Sequence, residues 1–194
     1  MTSVQGAPSI NVSPTLRESY VTFGMSSGGL QRRYHAAASV GQKLYVWGGT
    51  DYSGSERVQT TTVESFDVSS ESWLQSRQLH GTELPNGLQG VAITLVDESA
   101  YTFGGEAFVD SLGKFIYFNK LFEINLFTLQ CREIVPEPHS PVPKQLSFSG
   151  MVHFNHMLVV HGGCCRYGQE RTDDVHVFDL RTSECSTTHH IIPV

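Results

Sequence analysis

Nine histidines, four cysteines and a set of arginine and tyrosine residues in short loops are where this 194-residue sequence could do chemistry. Histidine together with cysteine suggests a metal, whose strongest sequence signals are an i, i+4 histidine pair on a helix or a Cys-x-x-Cys spacing. The sequence contains neither. His153, His156 and His161 fall within one apolar stretch, but His156 lies in a hairpin turn and His161 in a place read as packed, so they diverge. Cys164 and Cys165 precede Arg166, a cation able to lower a thiol pKa; an ordinary loop pair is the plainer reading. There is no glycine-rich phosphate loop, nucleophile elbow or paired carboxylate motif. No metal, cofactor or catalytic residue is therefore expected.

The elements that position these residues emerge from an internal repeat, which must be sought before any motif is interpreted. Three segments align on a double glycine: YHAAASVGQKLYVWGG (34–49), GVAITLVDESAYTFGG (90–105) and FSGMVHFNHMLVVHGG (148–163). Each is followed by a variable stretch and a second matching segment: VESFDVSSESW (63–73), LFEINLFTLQC (121–131) and VHVFDLRTSEC (175–185). Every copy reads as four short strands. The second is almost continuously apolar, the pattern of a strand covered on both faces. Gly41, Asp97 and Asn155 occupy the hairpin turn, where a left-handed conformation is tolerated. Asp67, Asn125 and Asp179 end the third strand, where an Asx side chain can cap the following turn.

A four-stranded sheet with two apolar faces cannot stand alone, so the copies must stack face to face as propeller blades do. The double glycine is expected to clear space for a bulky neighbour such as Trp73. Cys131 and Cys185 share the Trp73 column and read as small buried hydrophobes in an aromatic's place.

The apolar strand running into Gly-Gly, then an Asp turn and a Trp, resembles the kelch repeat. The fullest copy is Arg33-Tyr34-His35, KLYVWGG, and Val63 to Asp67 with Trp73. The resemblance covers roughly residues 32–188. It implies an all-β fold of three four-stranded antiparallel kelch-type β-propeller blades near 32–77, 88–135 and 146–188, forming an incomplete or open propeller. Residues 1–31 are expected to be a poorly ordered segment able to supply one edge strand at 20–23, and residues 32–194 the kelch-repeat domain. Three blades leave two large exposed faces. The chain is thus expected to be a fragment of a larger propeller, a truncated product without independent function, or a form that self-associates to complete the ring.

By resemblance, kelch proteins serve as substrate receptors of cullin-type ubiquitin ligases, and some bind actin. Kelch-like enzymes also exist, among them galactose oxidase and the iron-dependent specifier proteins of plants. Glu170, Asp173 and His176 depart from the specifier spacing by one residue, and one step along a strand turns a side chain to the opposite face.

Thirteen basic residues against nineteen acidic ones, a net charge of -6 and no basic stripe argue against nucleic acid as a partner. No apolar run approaches the ~20 residues of a membrane-crossing helix. Four cysteines in no disulfide-like framework fit a reducing compartment, the cytoplasm or the nucleus. What remains is a non-catalytic module that grips a protein or peptide with its loops, because loops gathered at one end of a propeller carry function. The candidates are Arg32, Arg33, Tyr34, Tyr52 and Arg57, then Glu106, Phe108, Lys114 and Phe115, then Arg166, Tyr167 and Arg171. Arginine and tyrosine are enriched at interface hot spots, and a guanidinium forks onto a carboxylate, so the ligand is expected to present an acidic group. Circular dichroism should show a strand-dominated spectrum, and a helical one would refute this architecture.

Overall fold

The computed structural model of the chain describes residues 31–51, 58–59, 62–85, 87–165 and 170–188. The edge strand expected at 20–23, and most of the segment expected to be poorly ordered, lie outside the described residues. No α-helix occurs among the described residues.

The first blade opens with the hairpin β1 (Ala36–Val40) and β2 (Lys43–Trp47). A short ribbon of β3 (Thr50–Asp51) and β4 (Val58–Gln59) follows. The sheet is completed by β5 (Thr62–Asp67), β6 (Ser72–Trp73) and β7 (Arg77–Gln78), in the order β1-β2-β5-β6 with β7 also on β5. The chain then contributes β8 (His80–Gly81) to the outer edge of the second blade, parallel to its last strand. That blade is formed by β9 (Ala92–Val96), β10 (Ser99–Phe103), β13 (Leu121–Asn125) and β14 (Gln130–Ile134), with a ribbon of β11 (Glu106–Val109) and β12 (Lys114–Tyr117) rising from it. The third blade repeats the plan with β15 (Gly150–Phe154), β16 (Met157–His161), β19 (Val175–Asp179) and β20 (Cys185–Thr188). Its ribbon is β17 (Cys164–Cys165) with β18 (Glu170–Arg171).

The turn chemistry follows the sequence closely. Gly41, Asp97 and Asn155 have φ of +59°, +52° and +56° in the three first hairpins. Asp67 Oδ1 accepts from the amides of Ser69 (2.9 Å) and Ser70 (3.2 Å), and Asn125 Oδ1 from those of Phe127 (3.1 Å) and Thr128 (2.9 Å). Asp179 Oδ1 accepts from the Arg181 amide at 2.8 Å. The Ser69 hydroxyl, which also donates to Asp67, together with the Ser70 and Ser69 amides holds the Asp67 carboxyl below the usual carboxylate range, and the Arg181 amide and guanidinium do the same for Asp179.

Strand periodicity gives each sheet two faces, and the facing sides of neighbouring blades form two inter-blade cores. Ala36, Ala38, Tyr45, Trp47 and Val63 on the front of blade one meet Ala100, Phe122, Ile124 and Cys131 on the back of blade two. Ala92, Tyr101, Phe103 and Leu121 on the front of blade two meet Met151, Leu158, Val160, Phe178 and Cys185 on the back of blade three. A fully buried side chain such as Ile124 or Leu158 contributes about 1.5–3 kcal/mol, so these two cores carry most of the stability. Cys131 and Cys185 stand opposite Ile124 and Phe178 in the register where Trp73 stands opposite Phe66, and both are buried. Burial pushes the Cys131 thiol up to about 11, which leaves it an inert hydrophobe.

The double glycine has a different role from the one expected. Trp73 packs edge-on against Phe66, 5.4 Å between ring centroids, rather than against the glycines. What crowds Gly48 and Gly104 is backbone. A Cβ on Gly48 would overlap the carbonyl oxygen of Leu88, and one on Gly104 that of Leu146; both carbonyls belong to the lead-in of the next blade. The following glycine then donates its amide to the same carbonyl, Gly49 to Leu88 at 2.9 Å and Gly105 to Leu146 at 2.7 Å. The second glycine meets the lead-in of its own blade: a Cβ on Gly49 would lie 2.6 Å from the Arg33 oxygen. At Gly162 the first constraint is relaxed, the nearest atom to a Cβ being the Thr172 oxygen at 3.6 Å.

This asymmetry is measurable, because Gly104 (φ +70°) and Gly162 (φ +69°) share the same left-handed conformation. Gly162→Ala should cost only the conformational strain of about 1–2 kcal/mol. Gly104→Ala should cost roughly 3 kcal/mol or more, since the Leu146 carbonyl must also be displaced. Urea unfolding of the two variants provides the comparison.

Candidate functional site

The lead-in to each blade and the segment after each double glycine meet at one end of the arc. Arg33 bridges to Thr50, Gln89 to Glu106 and Ser147 to Cys164, all antiparallel, so each ribbon is anchored beside its own lead-in. Side chains from these columns link into a buried polar chain that crosses both blade joins. Thr50 Oγ1 donates to Gln89 Oε1 (2.6 Å), and Gln89 Nε2 donates to Glu106 Oε1 (3.0 Å). Ser147 Oγ donates to Glu106 Oε2 (3.1 Å) and lies 3.5 Å from Cys164 Sγ. All four of Thr50, Gln89, Glu106 and Ser147 are at most 7% exposed. Among the described residues no cation pairs with Glu106, so the hydrogen bonds from Gln89 and Ser147 are what hold this carboxylate in the interior.

Above this belt lies a rim made by the next residue of each lead-in. Tyr34, Gly90 and Phe148 all take left-handed backbone, with φ of +60°, +63° and +57°. The Gly90 amide donates to the Tyr34 carbonyl (3.0 Å) and the Phe148 amide to the Gly90 carbonyl (2.7 Å). Bulky residues at positive φ cost about 1–3 kcal/mol each and persist where the surroundings dictate them. Tyr34 and Phe148 are nevertheless 47% and 48% exposed, and their rings meet edge to face at 5.6 Å. The contact is possible because the residue between them is glycine: a Cβ on Gly90 would lie 2.9 Å from the Phe148 ring. The Arg33 guanidinium sits over the Tyr34 ring at 5.7 Å.

The expected loop residues separate into distinct environments. Arg33 and Tyr34 lie on the exposed rim, while Lys114 and Arg171 are exposed on the second and third ribbons. Phe108 is half-buried against Phe115 across its ribbon, centroids 5.2 Å apart. Arg32 is a correction. Its side chain is 2% exposed, bonds Glu64 Oε1 at 2.8 Å and donates to the Gly48 carbonyl at 3.1 Å, because a buried carboxylate at position 64 requires a cation. Glu106, read as a loop residue, is likewise internal. Tyr52, Arg57, Arg166 and Tyr167 lie outside the described residues.

Phe148 escaped the sequence reading. Its signal was the offset from the double glycine, which puts it in the column of Tyr34. The same offset would have exposed the polar belt, since Gln89 and Ser147 share a column and Thr50, Glu106 and Cys164 directly follow the glycines.

Among the described residues the histidines do not converge. His176 is buried between blades two and three with Nδ1 2.9 Å from Thr187 Oγ1, whereas Glu170 is exposed on a ribbon beside Cys165 Sγ (3.3 Å). His161, expected to be packed like Trp47 and Phe103, is exposed. Among the described residues no group of three His, Cys, Asp or Glu side chains is placed to hold a metal ion.

The family model for the KLHDC2/KLHL20/DRC7 kelch-repeats domain matches residues 23–191. The chain belongs to the kelch-repeat family. Similar kelch proteins include Kelch domain-containing protein 1 of Homo sapiens, 27% identical over 176 residues, and Kelch-like protein terF of Aspergillus terreus, 25% identical over 162. Acyl-CoA-binding domain-containing protein 4 of Arabidopsis thaliana is 30% identical over 154 residues. The matches cover 78%, 80% and 78% of this chain but 42%, 33% and 21% of those relatives, so the chain spans less than half of their length. The solved structure of YjhT shares the fold with a TM-score of 0.64 at 18% identity, over 84% of this chain and 53% of that one.

Within this kelch arc, Glu106→Ala leaves the donors of Gln89 and Ser147 unsatisfied and should lower stability by about 2–4 kcal/mol. Glu106→Gln keeps the shape and can reform both contacts, so its cost should be much smaller. Chemical denaturation of the pair decides the point: equal costs would show that the belt's hydrogen bonds contribute nothing.

Proposed function

We propose that the chain is a non-catalytic recognition module that grips a protein or peptide at the rim formed by its lead-in residues. The observation that carries this reading is the pair of half-exposed aromatics, Tyr34 and Phe148, held at positive φ beside Arg33. Strained, exposed aromatics next to a guanidinium combine a rigid apolar platform with a charge-assisted donor, the make-up of an interface hot spot. Lys114 and Arg171 on the neighbouring ribbons extend the cationic character outward. The ligand is accordingly a segment with an apolar side chain and an acidic group, either a side-chain carboxylate or a terminal one. Membership in the kelch family supports an interaction role, and delivery of a bound protein to a cytoplasmic ubiquitin ligase is the process we assign to it.

Panning a displayed peptide library against the full chain tests the reading. Enriched peptides should carry a carboxylate near a large apolar residue. Arg33→Ala with Arg171→Ala should weaken the best of them more than tenfold, the scale of losing about 1.5–3 kcal/mol of charged hydrogen bonding. Phe148→Ala should do the same without loss of the fold. Affinities unchanged in both variants would remove the rim from consideration. Recovery of cullin adaptors in affinity purification supports the ligase assignment, and filament co-sedimentation without them would replace it by actin binding.

A further inference from the structure

The two blade joins are closed differently at their outer edges. At the first, the segment leaving blade one adds β8 to the edge of blade two: the His80 amide donates to the Leu129 carbonyl (2.9 Å) and the Thr82 amide to the Cys131 carbonyl (3.0 Å). The corresponding segment of the second join, 135–143, begins alike. The Glu137 amide donates at 2.9 Å to the carbonyl of Ser183, which stands in the column of Leu129 and shares its left-handed backbone. There the likeness stops. Pro136, Pro138, Pro141 and Pro143 fix φ and remove amide donors, and among the described residues the third blade gains no fifth strand. The Cys185 amide donates instead to the Ser140 hydroxyl, at 3.1 Å, and the segment crosses the join as a strap.

Beneath the strap the two sheets enclose a cavity of about 300 Å³. One wall is the row Phe103, Leu121 and Ile134, neighbours across β10, β13 and β14 on the front of blade two. The other is the back of blade three, with Met151, Val160 and His176 in one row and Leu158, Phe178 and Cys185 in the next. Protein interiors leave few voids larger than a water molecule, and an apolar cavity of about 150 Å³ already admits benzene. This space is twice as large and its walls are mostly apolar.

Its polar groups are few and decide the class of guest. Lys120 and Glu133 pair at 2.8 Å beside it, and Glu137 lines it from the exposed strap. One ammonium against two carboxylates disfavours an anion. The Ser140 hydroxyl, having accepted from the Cys185 amide, still has its own hydrogen to donate, with no acceptor among the described residues. We propose that the cavity binds a small uncharged molecule with the bulk of two fused aromatic rings and one hydrogen-bond acceptor, the rings between Leu121 and Phe178 and the acceptor on Ser140. None of Arg33, Tyr34 and Phe148 lines it, so the site stands apart from the recognition reading.

The test is titration of the full chain with 2-naphthol, followed by NMR of methionine methyl groups. The Met151 methyl, which lines the cavity, should shift saturably, while that of Met157, which does not line it, stays in place. The anion 2-naphthoate should bind at least about tenfold more weakly, since its carboxylate must lose water or meet the acidic edge. Cys185→Trp should abolish binding with the strand-dominated circular dichroism kept, because an indole there occupies the cavity and can pack on Phe178 as Trp73 packs on Phe66. Should that variant fail to fold, Val160→Phe fills the space from the other row and carries the same expectation. Absence of a saturable Met151 shift overturns the proposal. So does binding that survives the filling substitution in a folded protein, and so does equal affinity for naphthoate.

Discussion

Two backbone hydrogen bonds, Gly49 to Leu88 and Gly105 to Leu146, fix the geometry on which the rest of this structure depends. They can form because no Cβ stands at Gly48 or Gly104 to displace the carbonyl, and they draw the lead-in of each blade onto the end of the second strand of the blade before it. Individually such a bond contributes only about 1 kcal/mol, far less than the apolar cores between the sheets. Its importance is positional. Apolar faces attract without specifying an angle, whereas a carbonyl seated over a glycine allows one approach. The bonds set where the cores form, and the cores supply the energy.

The rim and the belt follow from the same contact. Once a lead-in is pinned at Leu88 or Leu146, the next residues must bridge back to their own blade and then turn sharply into the innermost strand. That turn is the left-handed position of Tyr34, Gly90 and Phe148. Directly beneath it Thr50, Gln89, Glu106 and Ser147 are buried, so their side chains bond one another, and Glu106 becomes the centre of a polar belt crossing both joins. Rim and belt are thus products of blade stacking, one turned to solvent and one sealed from it.

Much of this was legible in the sequence because the repeat places equivalent residues in columns. The hairpin turns at Gly41, Asp97 and Asn155, the Asx caps at Asp67, Asn125 and Asp179, and the cysteines in the Trp73 column each depend on local spacing. What escaped depends on contacts between copies. The role of Gly48 needs knowledge of where Leu88 lies, the burial of Glu106 needs Gln89 and Ser147 from two different lead-ins, and the inward turn of Arg32 needs Glu64. Nor does any local signal announce β8, two residues that leave the first blade to edge the second. His161 was misread for the converse reason: its column is packed only where another blade covers it, and among the described residues none does.

Native-state hydrogen exchange of the glycine amides, resolved by NMR, tests the central claim most directly. If the stacked backbone joins organise the arc, the amides of Gly49 and Gly105 should exchange only through global unfolding, with protection equal to that of the core strands β10 and β13. Exchange of these two amides at rates typical of exposed loops, while β10 and β13 remain protected, would contradict it.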